Sequence, residues 1–413
     1  MIDYKKLLKS KKYNIAVWGT GYIGLSTLVY FAKQNVRCIG YDLDSSKVEK
    51  INNGDLPIKD LKNWFGFNIK KLVKEKKLKA TNNFNELIDQ KNLAHFVAIP
   101  TEKDGKPYFK ILFDVLNKIL KVKQIKKKYT PIIIIESTLT PGFSEKHLMP
   151  FFKKKKIKIG RDLLYSVAPR RDWFVEGTKS LRELDRVFGS TDKKSSRITK
   201  SILSIVCKKL HEASSHKVSE MVKSIENAYR HMEITLANQL SLAYPKENMR
   251  EVLKLVGTKW NIGTFYPGFG TGGYCIPLSS QYVLREVSNK KKLTLLRETI
   301  KTDTEINKRI ANSLAKRKFK SIGVLGLSYK GNLKVDILSP VKSFINCLLK
   351  KRINVRLYDP YYNSDEIKEK LKIKSFKFPN DLIKFDAVVI SVDHDKFKKK
   401  FRTTKKYLSN CKF

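Results

Sequence analysis

The residue in this chain best suited to covalent chemistry is Cys275, in the stretch GTFYPGFGTGGYCIPLSSQYVL at 263–284. Five glycines precede it, at 263, 268, 270, 272 and 273, and Pro267 and Pro277 bracket the turn-rich part. Glycines at this density let a backbone pass close to a ligand and point its N–H groups inward. A thiol at the end of such a loop is a candidate nucleophile, because neighbouring N–H groups can hold the oxyanion its attack creates. The competing reading is an inert thiol, since free cysteine is among the most buried residue types. Taken alone, Cys275 fits the inert reading better, so the rest of the chain must decide.

A second constellation lies near the N-terminus. Gly19, Gly21 and Gly24 form G-x-G-x-x-G directly after the apolar run NIAVW (14–18), at the start of a helix, and Asp42 closes the next strand. That context supplies a tight turn, backbone approach to a pyrophosphate, close helix–strand packing and an acid for a ribose hydroxyl pair. The acid repels a 2′-phosphate, so the expected cofactor is NAD. Three turn glycines without a ligand are the alternative.

The elements that position these residues alternate. Strand-like runs at 14–18, 36–44, 94–100, 131–138 and 163–169 are separated by helical segments, among them 26–34 and 109–122, which implies a parallel, doubly wound sheet. From 196 to 255 the periodicity is helical without strands, and 219–244 should be one long helix. Strand patterns resume at 320–327, 353–360 and 385–392. The expected fold is α/β. An N-terminal Rossmann NAD-binding domain spans 1–195, a central all-helical domain with the cysteine loop spans 196–317, and a C-terminal Rossmann-like α/β domain spans 318–413.

The chain's 413 residues suffice for two or three domains, and its 41% hydrophobic content is ordinary for a globular protein. Five scattered cysteines (38, 207, 275, 347 and 411) argue against a disulfide framework and for a reducing cytoplasm. No apolar run is long enough for a signal peptide or a membrane span, and no metal site is expected. The net charge of +46 could mean a polyanionic partner. Its lysines, however, are spread along the chain in short runs such as 126–128, 153–156 and 398–400, as solvated faces would be. No nucleic-acid or membrane partner is therefore expected; a basic nucleic-acid-binding protein on a Rossmann scaffold is the distant alternative.

The motifs GTGYIGL (19–25), ESTLTPG (136–142), EMVKSIENAY (220–229), PGFGTGGYCIP (267–277) and GLSYKGNLKVD…SP (326–340) occur in this order. Together they resemble the signatures of the UDP-glucose/GDP-mannose dehydrogenase family, and the GGYCIP form is closest to the branch acting on UDP-N-acetylhexosamines. The resemblance implies an NAD-dependent, four-electron oxidation of a nucleotide sugar at C6, from primary alcohol to carboxylate. It implies that Cys275 carries a thiohemiacetal and then a thioester. It also implies a homodimer formed through the long helix, and a uronic acid destined for surface polysaccharide. Lys223 and Asn227 match the family's catalytic and substrate-binding pair; four apart on one helix, they face the same way and suit an oxyanion and a water. A solvated lysine and a buried asparagine are the bland alternative. Thr138 matches the family threonine beside the nicotinamide, and Lys330 the substrate-facing lysine. The resemblance also assigns Tyr22, Ile23 and Thr101 to the cofactor, and Glu176, Phe265, Gly272 and Gly273 to the substrate.

Several positions depart from the family pattern. Ser279 stands where the family carries an aspartate four residues after the cysteine, and Tyr274 where this branch carries histidine. Aligned on Glu176–Gly177, Asp172 falls at the family's first glutamate and is the acid/base candidate, with a helix N-cap as its alternative. Arg170 and Arg171 are unexpected; they could bind an anionic group or pair with Asp172 and Glu176. Asn261 replaces an arginine that reaches the neighbouring subunit's substrate, and DILSP (336–340) lacks the usual arginine. Ser279 opens an alternative outcome, a single oxidation or slow thioester hydrolysis.

Overall fold

The computed structural model describes residues 3–58, 61–88, 90–122, 129–172 and 179–401. The chain forms two compact units, Met1–Ile225 with Arg285–Val287 and Glu226–Leu284 with Ser288–Phe413.

The first unit is built on an eight-stranded sheet. Its strands are β1 (Asn14–Trp18), β2 (Arg37–Tyr41), β3 (Leu78–Thr81), β4 (Asn92–Val97), β7 (Ile132–Ile135), β8 (Leu164–Val167), β9 (Arg186–Ser190) and β10 (Leu210–Glu212), while β5 (Glu102–Lys103) and β6 (Lys106–Pro107) form a separate hairpin. The order is β10-β9-β8-β7-β4-β1-β2-β3, parallel from β3 to β8, with β9 antiparallel to β8 and β10 parallel to β9. Strand order reverses between β1 and β4, the switch point where open α/β sheets bind ligands. NIAVW and IIII are buried at every position because both sheet faces are covered. Alternate side chains feed two cores: Ile15, Val17, Ile132 and Ile134 on one face, Ala16, Trp18, Ile133 and Ile135 on the other.

The stretch 196–255, expected to be free of strands, contains β10, which pairs with β9. Its three residues, Leu-His-Glu, are partly or fully exposed and too few for a periodic signal.

In the second unit, the strands β11 (Ser321–Leu325), β12 (Asn354–Tyr358) and β13 (Ala387–Ile390) form a parallel sheet in the order β12-β11-β13. The helices include Met249–Val256, Cys275–Glu286, Thr294–Lys316 and Pro340–Leu349, with others after β12 and β13. The long helix expected at 219–244 runs from His216 to Ala243. The glycine-rich loop ends at Cys275, where the helix Cys275–Glu286 begins. The last glycine is Gly273, and Pro277 in the first turn removes an N–H that has no intrahelical acceptor anyway.

Candidate active site

The cofactor half lies in the first unit. The helix Tyr22–Lys33 starts from Gly21, which brings no side chain to cap it, at the turn after β1 where the switch point lies. A Cβ on Gly24 would lie 1.8 Å from the Gly19 carbonyl oxygen; only glycine lets the helix pack so close to the turn. Tyr22 is exposed and Ile23 half-buried at the same helix start. Asp42 Oδ2 accepts from the Thr20 amide (2.8 Å) and hydroxyl (2.7 Å), and Oδ1 accepts from the Asp44 amide. Burial alone would raise the Asp42 carboxyl, but these bonds and Lys47 hold it below the usual range. An anion cradle and an ionised acid at this spacing fit NAD. At the ends of β4 and β7, the Thr101 hydroxyl donates to the Thr138 carbonyl (2.7 Å), and Ser137 Oγ bonds the Ile99 amide and carbonyl.

The loop that carries Thr138 is docked on the long helix. Glu220 accepts from the Gly142 (3.0 Å) and Ser144 (3.2 Å) amides, and Ser224 Oγ donates to the Leu139 carbonyl. Lys223, nearly buried, sits between these anchors. Burial raises the Glu220 carboxyl from 4.5 to about 7, against the pull of its donors. A raised acid contributes stability below its unfolded value, and that contribution is lost as pH climbs through about 7. The loss amounts to about 3 kcal/mol at full ionisation. Glu220→Gln should therefore flatten the decline of stability between pH 5 and pH 8 seen in urea unfolding. A variant keeping the wild-type slope would show that Glu220 is not its source.

Arg170 and Asp172 form a buried ion pair. Arg170 holds Asp172 through two bonds, Nε–Oδ2 at 2.6 Å and Nη2–Oδ1 at 2.7 Å, with both side chains almost fully buried. The same guanidinium reaches Ser26 Oγ and Thr27 Oγ1 on the dinucleotide helix, and Thr27 donates to Glu136, which also pairs with Arg186. Asp172 was read as the acid/base candidate; its oxygens are instead committed to Arg170, the pairing alternative. Local sequence could not show that Arg170 reaches the helix Tyr22–Lys33. Arg171 donates to the Asp185 carbonyl. Glu176 lies outside the described residues.

The cysteine loop lies in the second unit. Cys275 is exposed and occupies the first position of its helix, so it is not a buried thiol. Asn227 Nδ2 donates to the Cys275 carbonyl (3.3 Å) and to Ser279 Oγ (2.9 Å), and Ser279 donates to the same carbonyl (2.6 Å). These bonds fix the first turn and leave the thiol outside them. Gly272 and Gly273 lie against Tyr329 of the SYKG motif: a Cβ on Gly272 would meet Tyr329 Cβ at 2.4 Å, and Gly273 has φ +75°. Burial, and then the nearby Cys275, push the Tyr329 phenol up. Next to it, burial and Arg230 pull the Lys330 ammonium down. Phe265 is half-buried over Gly263. Among the described residues no cluster could hold a metal ion.

Sequence reasoning did not single out Tyr329, Arg230, Glu220 or His231. Tyr329 and Glu220 stand inside quoted motifs, and His231 continues the four-residue spacing of Lys223 and Asn227.

Models of the UDP-glucose/GDP-mannose dehydrogenase family match in succession: the NAD binding domain at 13–206, the central domain at 217–309 and the UDP binding domain at 323–412. The chain belongs to this family. It is 29% identical over 409 residues to the UDP-N-acetyl-D-mannosamine dehydrogenase of Methanococcus vannielii, covering 94% of this chain and 88% of that one. It is 26% identical over 406 residues to the UDP-N-acetyl-D-glucosamine 6-dehydrogenase of Pseudomonas aeruginosa, covering 94% and 92%. The solved UDP-N-acetyl-D-mannosamine dehydrogenase of Pyrococcus horikoshii superposes with a TM-score of 0.82 at 26% identity, covering 95% of this chain and 93% of that one. The protein is thus an NAD-dependent nucleotide-sugar dehydrogenase. Among the described residues no helix is long and apolar enough to cross a membrane.

Proposed function

We propose that this dehydrogenase oxidises C6 of a UDP-N-acetylhexosamine from alcohol to carboxylate, through a covalent intermediate on Cys275, and that the acid feeds surface polysaccharide. The observation carrying this reading is the exposed thiol at a helix start whose backbone is pinned by Asn227 and Ser279. Bound NAD supplies the hydride acceptor. Cys275 Sγ adds to the C6 aldehyde to give a thiohemiacetal, whose oxidation leaves a thioester. Water then cleaves the S–C bond and provides the second carboxylate oxygen. The helix start favours negative charge on the attacked oxygen. Lys223 supplies a cation for that charge, Thr138 orients water and cofactor, and Lys330 meets the sugar or diphosphate.

The sugar preference is supported by the names of the relatives. Comparing kcat/KM for UDP-N-acetylmannosamine, UDP-N-acetylglucosamine, UDP-glucose and GDP-mannose tests it; a GDP-mannose preference overturns it. A second reading, one oxidation ending at the aldehyde or slow thioester hydrolysis, rests on Ser279, whose hydroxyl is engaged with Cys275 and Asn227 and provides no base.

The exposed apolar side chains Tyr229 and Leu236, seven residues apart on the long helix, support a homodimer through that helix. Sedimentation of Leu236→Arg should show monomer where the wild type shows dimer. The free cysteines fit a reducing cytoplasm.

A further inference from the structure

Asp303, His231, Ser280 and Thr271 form a chain of polar contacts within the second unit, in which all but the partly buried Asp303 are buried. Asp303 Oδ1 accepts from the Thr271 amide (3.0 Å), and Oδ2 accepts from the Thr271 hydroxyl (2.6 Å). His231 Nε2 lies 3.2 Å from the same Oδ2, and Nδ1 lies 2.9 Å from Ser280 Oγ. His231 is 2% exposed and Ser280 fully buried. An ionised carboxylate only accepts, so with a neutral ring Nε2 carries the proton and Nδ1 accepts from Ser280. Every bond then has a donor and an acceptor.

Thr271 lies four residues before Cys275 and Ser280 five residues after it, so the contacts close over both flanks of the nucleophile's segment. They come from two other helices, His216–Ala243 for His231 and Thr294–Lys316 for Asp303. Between the flanks, Asn227 holds the Cys275 carbonyl and Ser279. Ser279 brings no charge to the segment where the family places an aspartate. The carboxylate nearest in the hydrogen-bond chain is Asp303, linked to the cysteine helix through His231.

We infer that His231 and Asp303 are positioning residues that brace the segment 271–280 and hold Cys275 in its attacking geometry. The inference rests on Cys275 being the nucleophile. A thiol with its flanks released stays reactive but samples many orientations, and a displacement of about 1 Å can cost about 100-fold in rate. The covalent second oxidation is the step that depends on Sγ; the first hydride transfer does not.

The test follows NADH release in single turnover with UDP-N-acetylmannosamine, and measures iodoacetamide alkylation of Cys275 by peptide-resolved mass spectrometry. In His231→Ala the second phase should slow about 10- to 100-fold, with KM and the first phase within about threefold of wild type. Cys275 alkylation should change by about fivefold or more. His231→Gln, whose amide can accept from Ser280 and donate to Asp303, should recover both readouts to within about threefold. If His231→Ala does not fold, Asp303→Asn is read in its place. A folded variant that alkylates and turns over at wild-type rates overturns the brace. If Cys275→Ser completes both oxidations, the nucleophile reading falls instead, and alkylation alone then decides for or against the brace.

Discussion

Cys275→Ser is expected to retain the first hydride transfer within about tenfold while carboxylate formation falls by about four orders of magnitude. The substitution leaves the backbone bonds from Asn227 and Ser279 to residue 275 in place, because they end on its carbonyl. What changes is the nucleophile. A thiol ionises near neutral pH and a hydroxyl does not, and a thiolate leaves an acyl group more readily than an alkoxide. Rapid-quench analysis should find aldehyde, bound or released, with at most one NADH per sugar. Two NADH and full carboxylate yield from this variant would show that water attacks without covalent help.

Gly24→Ala is expected to abolish NAD binding, with affinity down at least about 100-fold, or about 3 kcal/mol. The added Cβ would lie 1.8 Å from the Gly19 carbonyl oxygen and 2.9 Å from its carbon. Both are backbone atoms, so no rotamer relieves the clash and the strand–turn–helix must open. Gly21→Ala is the contrasting case. Nothing lies within 4 Å of its Cβ position, so the fold tolerates the methyl group. The methyl would instead occupy the approach of the pyrophosphate at the helix start. Calorimetric titration with NAD and melting without it separate the two: Gly21→Ala should melt as wild type and bind weakly, whereas Gly24→Ala should also lose thermal stability. Unchanged NAD affinity in both variants would remove the cofactor from this turn.

The parts of the fold legible in the sequence were those with continuous apolar strands. NIAVW and IIII are buried on both faces, and that requirement writes itself into composition. By contrast, β3 (LKAT), β9 (RVFGS) and β10 (LHE) carry polar residues within short runs, and what holds them is pairing to neighbours distant in the chain. The glycine turn and Asp42 were legible because one local unit contains the whole device. Asp172 shows the limit. Its residue type suits acid/base work, but burial against Arg170 depends on the sheet beneath them. His231 likewise reads as one more helical residue until Asp303 and Ser280 are placed beside it. Only the four-residue rhythm of Lys223, Asn227 and His231 hinted that they share a face.

The most direct measurement is the count of NADH formed per UDP-N-acetylmannosamine consumed by the wild-type enzyme, with the sugar product identified by mass. Two NADH for each carboxylate, with no aldehyde accumulating, is the expected result. One NADH with the aldehyde as final product contradicts a covalent second oxidation at Cys275.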